Sequence, residues 1–328
     1  MPDADLSKLA VGARVQQALL VLDVDQREAA SGPFVTLTLG NAWGRMPTAP
    51  FWSEAQHLVA GIARGDVVQV VGDVGLYQQK RQLKVTSLRV VPKESVSWGE
   101  LLPSVGDVTP YWERLDRMRA DLAGPRLRAT LDLFYGDDDF RRRYERCPAA
   151  PVGHHAQLGG LLKHTWEVAH LGRATAKVYR RADPDLVVAG ALLHDIGKLE
   201  AYRWDGVFET TEAGSLVGHV ALGLMWFDRV VRGASPPPCT ERERLLLTHL
   251  IASHHGRLEH GATAPPMTLE AEILHFADNT SAKAESMSDA LASGELFAGD
   301  ALLTTRGVWT IDGRKAYRGQ ADWGRGDG

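Results

Sequence analysis

Residues 189–199 read AGALLHDIGKL, and this stretch decides what the C-terminal half of the chain is. An aliphatic run ends directly on His194 and Asp195. An imidazole beside a carboxylate at the end of an apolar run is costly unless something binds both. A divalent cation is the usual occupant, since neutral histidine nitrogen and carboxylate oxygen suit Mn²⁺, Fe²⁺ or Zn²⁺. A lone His-Asp pair turns up by chance in many chains, so its weight comes from its companions.

The companions are in the same half. The chain holds 12 histidines, and most follow residue 150: His154, His155, His164, His194, His219, His249, His254, His255 and His275. His164 sits in GGLLKHTWEVAHL, whose neighbouring residues face a core. His219 follows Gly218 in LVGHVALG, and His254-His255 precede Gly256 in SHHG. Asp278, in LHFADNTSAK, marks the same apolar-to-polar transition as Asp195. Helical spacing of apolar residues places these motifs on helices over 157–178, 185–199, 216–231, 241–253 and 266–287. Bundles build dinuclear centres from ligands on several helices, and a carboxylate such as Asp195 can bridge two cations about 4 Å apart. Any one of these histidines could be an ordinary core residue. As a set with two aspartates they exceed the needs of one cation and suit two.

The N-terminal part reads differently. VQQALLVLDV (15–24), FVTLTLG (34–40), RMPTAPFW (45–52), DVVQVVGDVGLY (66–77) and RQLKVTSLRVV (81–91) are strand-like, with a helix expected at 53–62. Three strands, a helix and two strands is the order of an OB-fold, a small barrel that often binds oligonucleotides. Trp43, Trp52 and Tyr77 could stack on bases, and Lys80, Arg81 and Lys84 could meet phosphates. Filling of the barrel by its aromatics, Phe51 included, is the competing reading. Residues 111–122 and 126–135 have helical spacing, and 301–319 suggests a hairpin turning at Asp312-Gly313. The expected architecture is therefore multidomain α+β. An OB-fold β-barrel spans 1–95, a helical connector 96–150, an all-α bundle 151–295, and a short β-hairpin with a fraying tail 296–328.

Composition sets bounds on this. With 44% hydrophobic and 24% charged residues the chain is ordinary for a globular protein. A net charge of −4 leaves any nucleic-acid contact to local patches. Cys147 and Cys239 make no disulfide framework. Neither a signal peptide nor a membrane span is evident, so a cytoplasmic location without a membrane partner is expected. Self-association into a homo-oligomer is left open.

His164, the His194-Asp195 pair and Asp278 match the defining pattern of the HD-domain metal-dependent phosphohydrolases, and the resemblance runs through HHAQLGGLLKHT, AGALLHDIGKLE, GHVALG, SHHG and EAEILHFADNTSAK. With the barrel in front, the chain resembles the branch of that family that joins an OB-fold to an HD domain and acts as a 3′→5′ exoribonuclease. The resemblance implies two divalent ions, typically Mn²⁺, with Fe²⁺, Co²⁺ or Zn²⁺ also suitable. It implies His164, His194, Asp195 and Asp278 around one ion, and Asp195, His219, His254 and His255 around the other. Single-stranded RNA, or single-stranded DNA, would be cut by a metal-activated hydroxide, with Asp195 orienting it and Lys198, one helical turn from His194, reaching a phosphate oxygen. Lys163 and His260 depart from the pattern, standing where acidic residues are expected. A nucleotide phosphohydrolase or cyclic-nucleotide phosphodiesterase is the alternative among enzymes. A metal-bearing nucleic-acid-binding protein without turnover is the alternative outside them.

Overall fold

The computed structural model describes residues 5–320 and 323. Its N-terminal part is a five-stranded antiparallel sheet built on one long strand, β1 (Arg14–Ala29), which pairs with both β2 (Gly32–Asn41) and β4 (Val67–Tyr77). With β3 (Gly44–Pro47) and β5 (Lys80–Val91) the order is β3-β2-β1-β4-β5. The chain beyond β3 then closes the sheet on itself. Thr48 bridges Leu83 of β5 in parallel, and the Ala49 N–H donates to the Leu83 carbonyl at 2.9 Å. Period-2 alternation puts Val15, Leu19, Leu37, Leu39, Val68, Val70 and Leu83 inside this barrel. The helix expected at 53–62 is absent. Only a 3₁₀ turn, Gln56–Leu58, forms there, without a side-chain cap. Val59 is buried and Ala55, Leu58 and Ile62 pack beside it on the barrel core, so the apolar face is as expected although ten residues are few for a helix.

A short helix, α1 (Trp98–Leu101), leads into the helical part: α2 (Thr109–Ala120), α3 (Pro125–Tyr135), α4 (Asp138–Tyr144), α5 (Gly160–Ala176), α6 (Pro184–Leu193) and α7 (Lys198–Ala201). A two-stranded ribbon, β6 (Tyr202–Arg203) with β7 (Glu209–Thr210), precedes α8 (Glu212–Val217), α9 (His219–Gly233), α10 (Glu241–Ser253) and α11 (Leu269–Ala292). α6 is the axis of the bundle: every residue from Val187 to Leu193 is buried. Its start is fixed by Asp183, whose carboxylate accepts from the N–H groups of Asp185 and Leu186. Residues 96–150, expected as a connector, contribute Leu115, Phe134, Tyr135 and Tyr144 to the same buried cluster as Leu161, Leu192 and Leu250.

Barrel and bundle meet across an apolar seam of Leu20 and Val67 with Leu101, Leu102 and Leu158, flanked by Trp204 and Phe208. Arg64 pairs with Glu209 at its edge, and the Lys93 ammonium donates to the Asp205 carbonyl at 3.1 Å. At the C-terminus the expected hairpin is a chain reversal carrying one antiparallel bridge, Leu303 with Tyr317. Asp312 (φ 61°) and Gly313 (φ 73°) make its turn as expected. A 3₁₀ turn at Trp309–Ile311 takes up the residues that a longer ladder would need. The tail expected to fray from 319 lies outside the described residues from 321 onward, Trp323 apart. No helix among the described residues is long and apolar enough to cross a membrane.

Candidate metal centre

The helix expected over 185–199 is in fact two, and the break is where the chemistry sits. α6 stops at Leu193. His194 caps it, and a tight turn through Asp195, in which the Lys198 N–H donates to the Asp195 carbonyl at 3.0 Å, leads into α7. Gly197 explains the break. A Cβ there would lie 2.0 Å from the His219 carbonyl oxygen and 2.4 Å from the Gly223 nitrogen. Only glycine lets the start of α9 close against this turn. The helix expected over 216–231 is likewise split at Gly218, which makes His219 the first residue of α9 and turns it toward Asp195.

Around Asp195 the side chains form two groups that share its carboxylate. Oδ2 lies 3.4 Å from His164 Nε2 and 3.1 Å from His194 Nε2, while Asp278 Oδ1 lies 3.1 Å from His164 Nε2 and 3.9 Å from His194 Nε2. Oδ1 faces the other way, 3.4 Å from His219 Nε2 and 3.6 Å from His254 Nε2. His219 Nε2 is in turn 3.2 Å from His255 Nε2. All seven residues that the sequence marks as candidate ligands are thus brought together.

The tautomers follow from the remaining nitrogens. His194 Nδ1 donates to the Ala191 carbonyl at 2.7 Å, His254 Nδ1 to that of Ile251 at 2.7 Å, and His255 Nδ1 to that of His260 at 2.6 Å. Each leaves its Nε2 lone pair pointing into the group, as a metal ligand must. For His164 the partner of Nδ1 is Ser281 Oγ at 2.9 Å, and that hydroxyl donates to Glu167 Oε2 at 2.7 Å. Gly256 (φ 76°) supplies the bend after SHHG. A side chain there would strike the His275 ring at 2.4 Å, and His275 Nδ1 donates to the His254 carbonyl at 2.8 Å.

These residues fit divalent cations. Oδ1 of Asp195 and Nε2 of His254 are buried without a hydrogen bond, and an unpartnered buried polar atom is expensive unless an ion completes it. Electrostatics agree. Burial works against charge on His164, yet Asp195 and Asp278 outweigh it and raise its pKa to about 9, so this group of residues draws in a positive charge. Burial, with Lys198 nearby, pushes His219 down to about 3, which keeps it neutral and able to ligate.

Lys198 does not stand one helical turn from His194, because no helix spans the two. The tight turn brings it round instead, with Nζ 2.5 Å from Asp195 Oδ2, and it lines the same cleft. Burial lowers its pKa, but the Asp195 carboxylate more than compensates and the ammonium stays charged. The cleft, about 460 Å³, is also bounded by His154, Tyr202, Asn279 and Lys283. Of these, His154 belongs to the histidine set marked in the sequence but not to its expected ligands, while Tyr202, Asn279 and Lys283 were not singled out; Asn279 and Lys283 share one face of α11, four residues apart.

Lys163 and His260, the two departures from the family pattern, have structural roles. The Lys163 ammonium lies 2.5 Å from Glu285 Oε1 and 3.8 Å from Glu167 Oε1, where it neutralises a group formed by those carboxylates and buried His155. His260 holds His255 through its carbonyl. The expected nucleic-acid residues are more scattered. Trp43 is exposed in a groove between barrel and bundle, and Trp52 packs on Phe34 with ring centroids 4.8 Å apart. Tyr77 and Lys80 sit at the tip of the β4–β5 hairpin, and the Arg81 guanidinium donates to the Leu9 carbonyl at 2.8 Å. Lys84 lies back over Gly75 of β4.

The HD domain family model matches residues 161–283, the segment from α5 to α11 that carries every ligand just described. The helical half is therefore an HD domain, a fold of divalent-metal-dependent hydrolases, and the protein is a hydrolytic enzyme. Across most of its length the chain is similar to 3′-5′ exoribonuclease YhaM: 32% identical to that of Bacillus subtilis over 86% of this chain and 88% of the relative, and 31% identical to that of Bacillus licheniformis over 94% and 96%. It belongs to the YhaM exoribonuclease family. A solution structure of the second OB-fold domain of replication protein A from Methanococcus maripaludis aligns with 29% of the chain and 98% of its own length, at 17% identity and a TM-score of 0.23.

Proposed function

We propose that the protein is a 3′→5′ exoribonuclease that hydrolyses the terminal phosphodiester of single-stranded RNA at a centre holding two divalent cations, most suitably Mn²⁺. The observation that carries this reading is the Asp195 carboxylate, which turns one oxygen to His164 and His194 and the other to His219 and His254. His164, His194, Asp195 and Asp278 would hold one ion; Asp195, His219, His254 and His255 would hold the other. Bound there, such ions lower the pKa of water and neutralise charge on the phosphoryl oxygens.

The chain's own groups do the rest. Lys198 keeps its charge and meets a non-bridging phosphate oxygen as a fixed cation rather than giving up its proton. Asp195 Oδ1 and Oδ2 orient the attacking water from either side. His255 completes the second ion while touching the substrate side of the cleft, since it lines the open space where His254 is wholly buried. The relatives' exoribonuclease activity and the barrel fused to the bundle support a single strand as substrate.

The test is to give the purified protein a 5′-labelled single-stranded oligoribonucleotide and its DNA equivalent, with Mn²⁺ or with chelator. A ladder shortening one nucleotide at a time from the 3′ end, present with Mn²⁺ and absent with chelator, is expected. Internal cuts, or an RNA left intact while mononucleotide phosphodiesters are cleaved, would overturn the reading. Degradation of the DNA at an equal rate would widen the substrate class to single strands in general.

A further inference from the structure

Three depressions on the molecule share their walls. The metal-centre cleft has Thr310 in common with a hollow of about 550 Å³ that is lined by Arg306 and Trp309. That hollow has Ser293 in common with a groove of about 800 Å³, where Trp43 and Arg45 of the barrel look across to Val152 and Phe208 of the bundle. The segment 149–156 borders the first and the last of them. Ala149, Ala150 and His154 line the metal-centre cleft, and Pro151, Val152 and Ala156 line the barrel groove. Between the two sets sits Gly153, where a Cβ would lie 3.8 Å from the Trp309 ring. Trp309 therefore stands at the crossing point.

The side chains along this course are those that hold a single strand. Trp43 is 47% exposed and Trp309 70% exposed, although Val308 and Ile311 on either side of Trp309 are buried. A large aromatic ring held in the open by an anchored backbone is a platform for stacking, and bases of any identity can use it. Arg45 and Arg306 are exposed beside the two rings. The chain as a whole carries a net charge of −4, and each of these rings has an arginine on the same wall, with Asp289 and Glu295 also lining the course.

Resting on the exoribonuclease reading, we infer that this continuous course is the track of the RNA strand. The 3′-terminal nucleotide lies in the metal-centre cleft, an adjoining base stacks on Trp309, and the strand further 5′ passes Trp43, with Arg306 and Arg45 meeting its phosphates. The C-terminal segment around Trp309, which gave no functional signal in the sequence, is then a substrate-binding element.

The experiment compares Trp309→Ala, Trp43→Ala and Trp309→Phe with the wild type, each as the full chain. On metal-free protein, anisotropy of a fluorescein-labelled oligoadenylate fifteen-mer reads binding without turnover. Each alanine variant should bind roughly five- to a hundredfold more weakly, the range for losing a stacked base, and Trp309→Phe should recover most of the loss. With Mn²⁺, the ratio of kcat/KM for the fifteen-mer over the p-nitrophenyl ester of a mononucleotide, which has no adjoining base to stack, should fall by a similar factor in Trp309→Ala. Unchanged affinity with an unchanged ratio overturns the track. An equal fall on both substrates, which keeps the ratio, also overturns it, since Trp309 would then only support the cleft wall. A wild type that binds the fifteen-mer without shortening it defeats the exoribonuclease reading, while the binding comparison still decides the track.

Discussion

The two halves of the molecule keep their functional groups in opposite ways. In the bundle, His164 on α5, the turn after α6, His219 at the start of α9, His254 at the end of α10 and Asp278 on α11 converge on one buried point. Three of these histidines are locked from behind: His194 and His254 by carbonyls of their own helices, His164 by Ser281 and Glu167. In the barrel, Trp43, Trp52 and the Tyr77–Lys80 pair occupy separate places, and three of the four residues are exposed. Gathering charge out of water is expensive and is kept only where something repays it. Presenting a ring or an ammonium at the surface costs little and constrains little. Convergence therefore marks the bundle as the seat of chemistry, and dispersal marks the barrel as a surface that a flexible partner could follow.

The largest effect should come from the one group that both clusters share. Asp195→Asn keeps the shape of the side chain but removes its charge and offers one oxygen in place of two. If that carboxylate joins two ions, hydrolysis should fall by roughly a thousandfold or more, the scale of losing a central electrostatic element. Bound metal, read by elemental analysis, should fall well below the two ions per chain expected of the wild type. A variant that keeps full metal content and near-normal rates would break the comparison at its root, leaving the buried carboxylate without a function.

A smaller effect is expected one layer out. Ser281 touches no ligand position itself; its hydroxyl sits between His164 Nδ1 and Glu167. Ser281→Ala should weaken metal affinity about ten- to a hundredfold, the usual consequence of freeing a ligand histidine from its support. A Mn²⁺ titration followed by activity and by thermal shift checks this. Activity should recover at high Mn²⁺, a rescue that a general loss of fold would not show. If the titration curve does not move, His164 is held by packing alone.

How legible this was in the sequence follows the same division. The ligand set could be read because each residue stood at the end of an apolar run, and a buried histidine or aspartate in that setting calls for a partner. The strands were legible from period-2 alternation, which the register of β1 with β2 and β4 confirms. The breaks were not. α6 was expected to run through Asp195, and nothing in the spacing of AGALLHDIGKL says that Gly197 has the backbone of α9 against it. Helix periodicity reports which face is buried, whereas a break is set by a neighbour distant in sequence. The same reason hid Trp309, whose meaning depends on Gly153 and on the shared walls of three depressions. The stretch 53–62 does carry the expected apolar face, Ala55, Leu58, Val59 and Ile62 all packing on the barrel core, but only a 3₁₀ turn forms within it.

The smallest effect should come from the β4–β5 hairpin. Its tip turns through Gln78 (φ 47°) and Gln79 (φ 64°), a two-residue reversal that holds exposed Tyr77 opposite Lys80. Lys84 lies against Gly75, so close that a Cβ there would be 2.7 Å from its Cε, which packs the stem on the strand. Neither ammonium is held in a buried ion pair as Lys198 is, so any phosphate contact here is made at the solvent-exposed surface and screened by salt. Lys80→Gln with Lys84→Gln should weaken binding of a single-stranded RNA by about two- to threefold at low salt, on the order of 0.5 kcal/mol. The slope of log affinity against log salt should drop by about 0.7 for each phosphate contact removed. Turnover at saturating substrate depends on the bundle alone and should be little affected. An unchanged slope would show that the strand never reaches the hairpin, confining it to the groove beside Trp43. A loss as large as that of Trp43→Ala would show the opposite, that the barrel gathers its substrate at the tip, and the dispersal of its binding residues would then be an extended path rather than a set of unrelated surface positions.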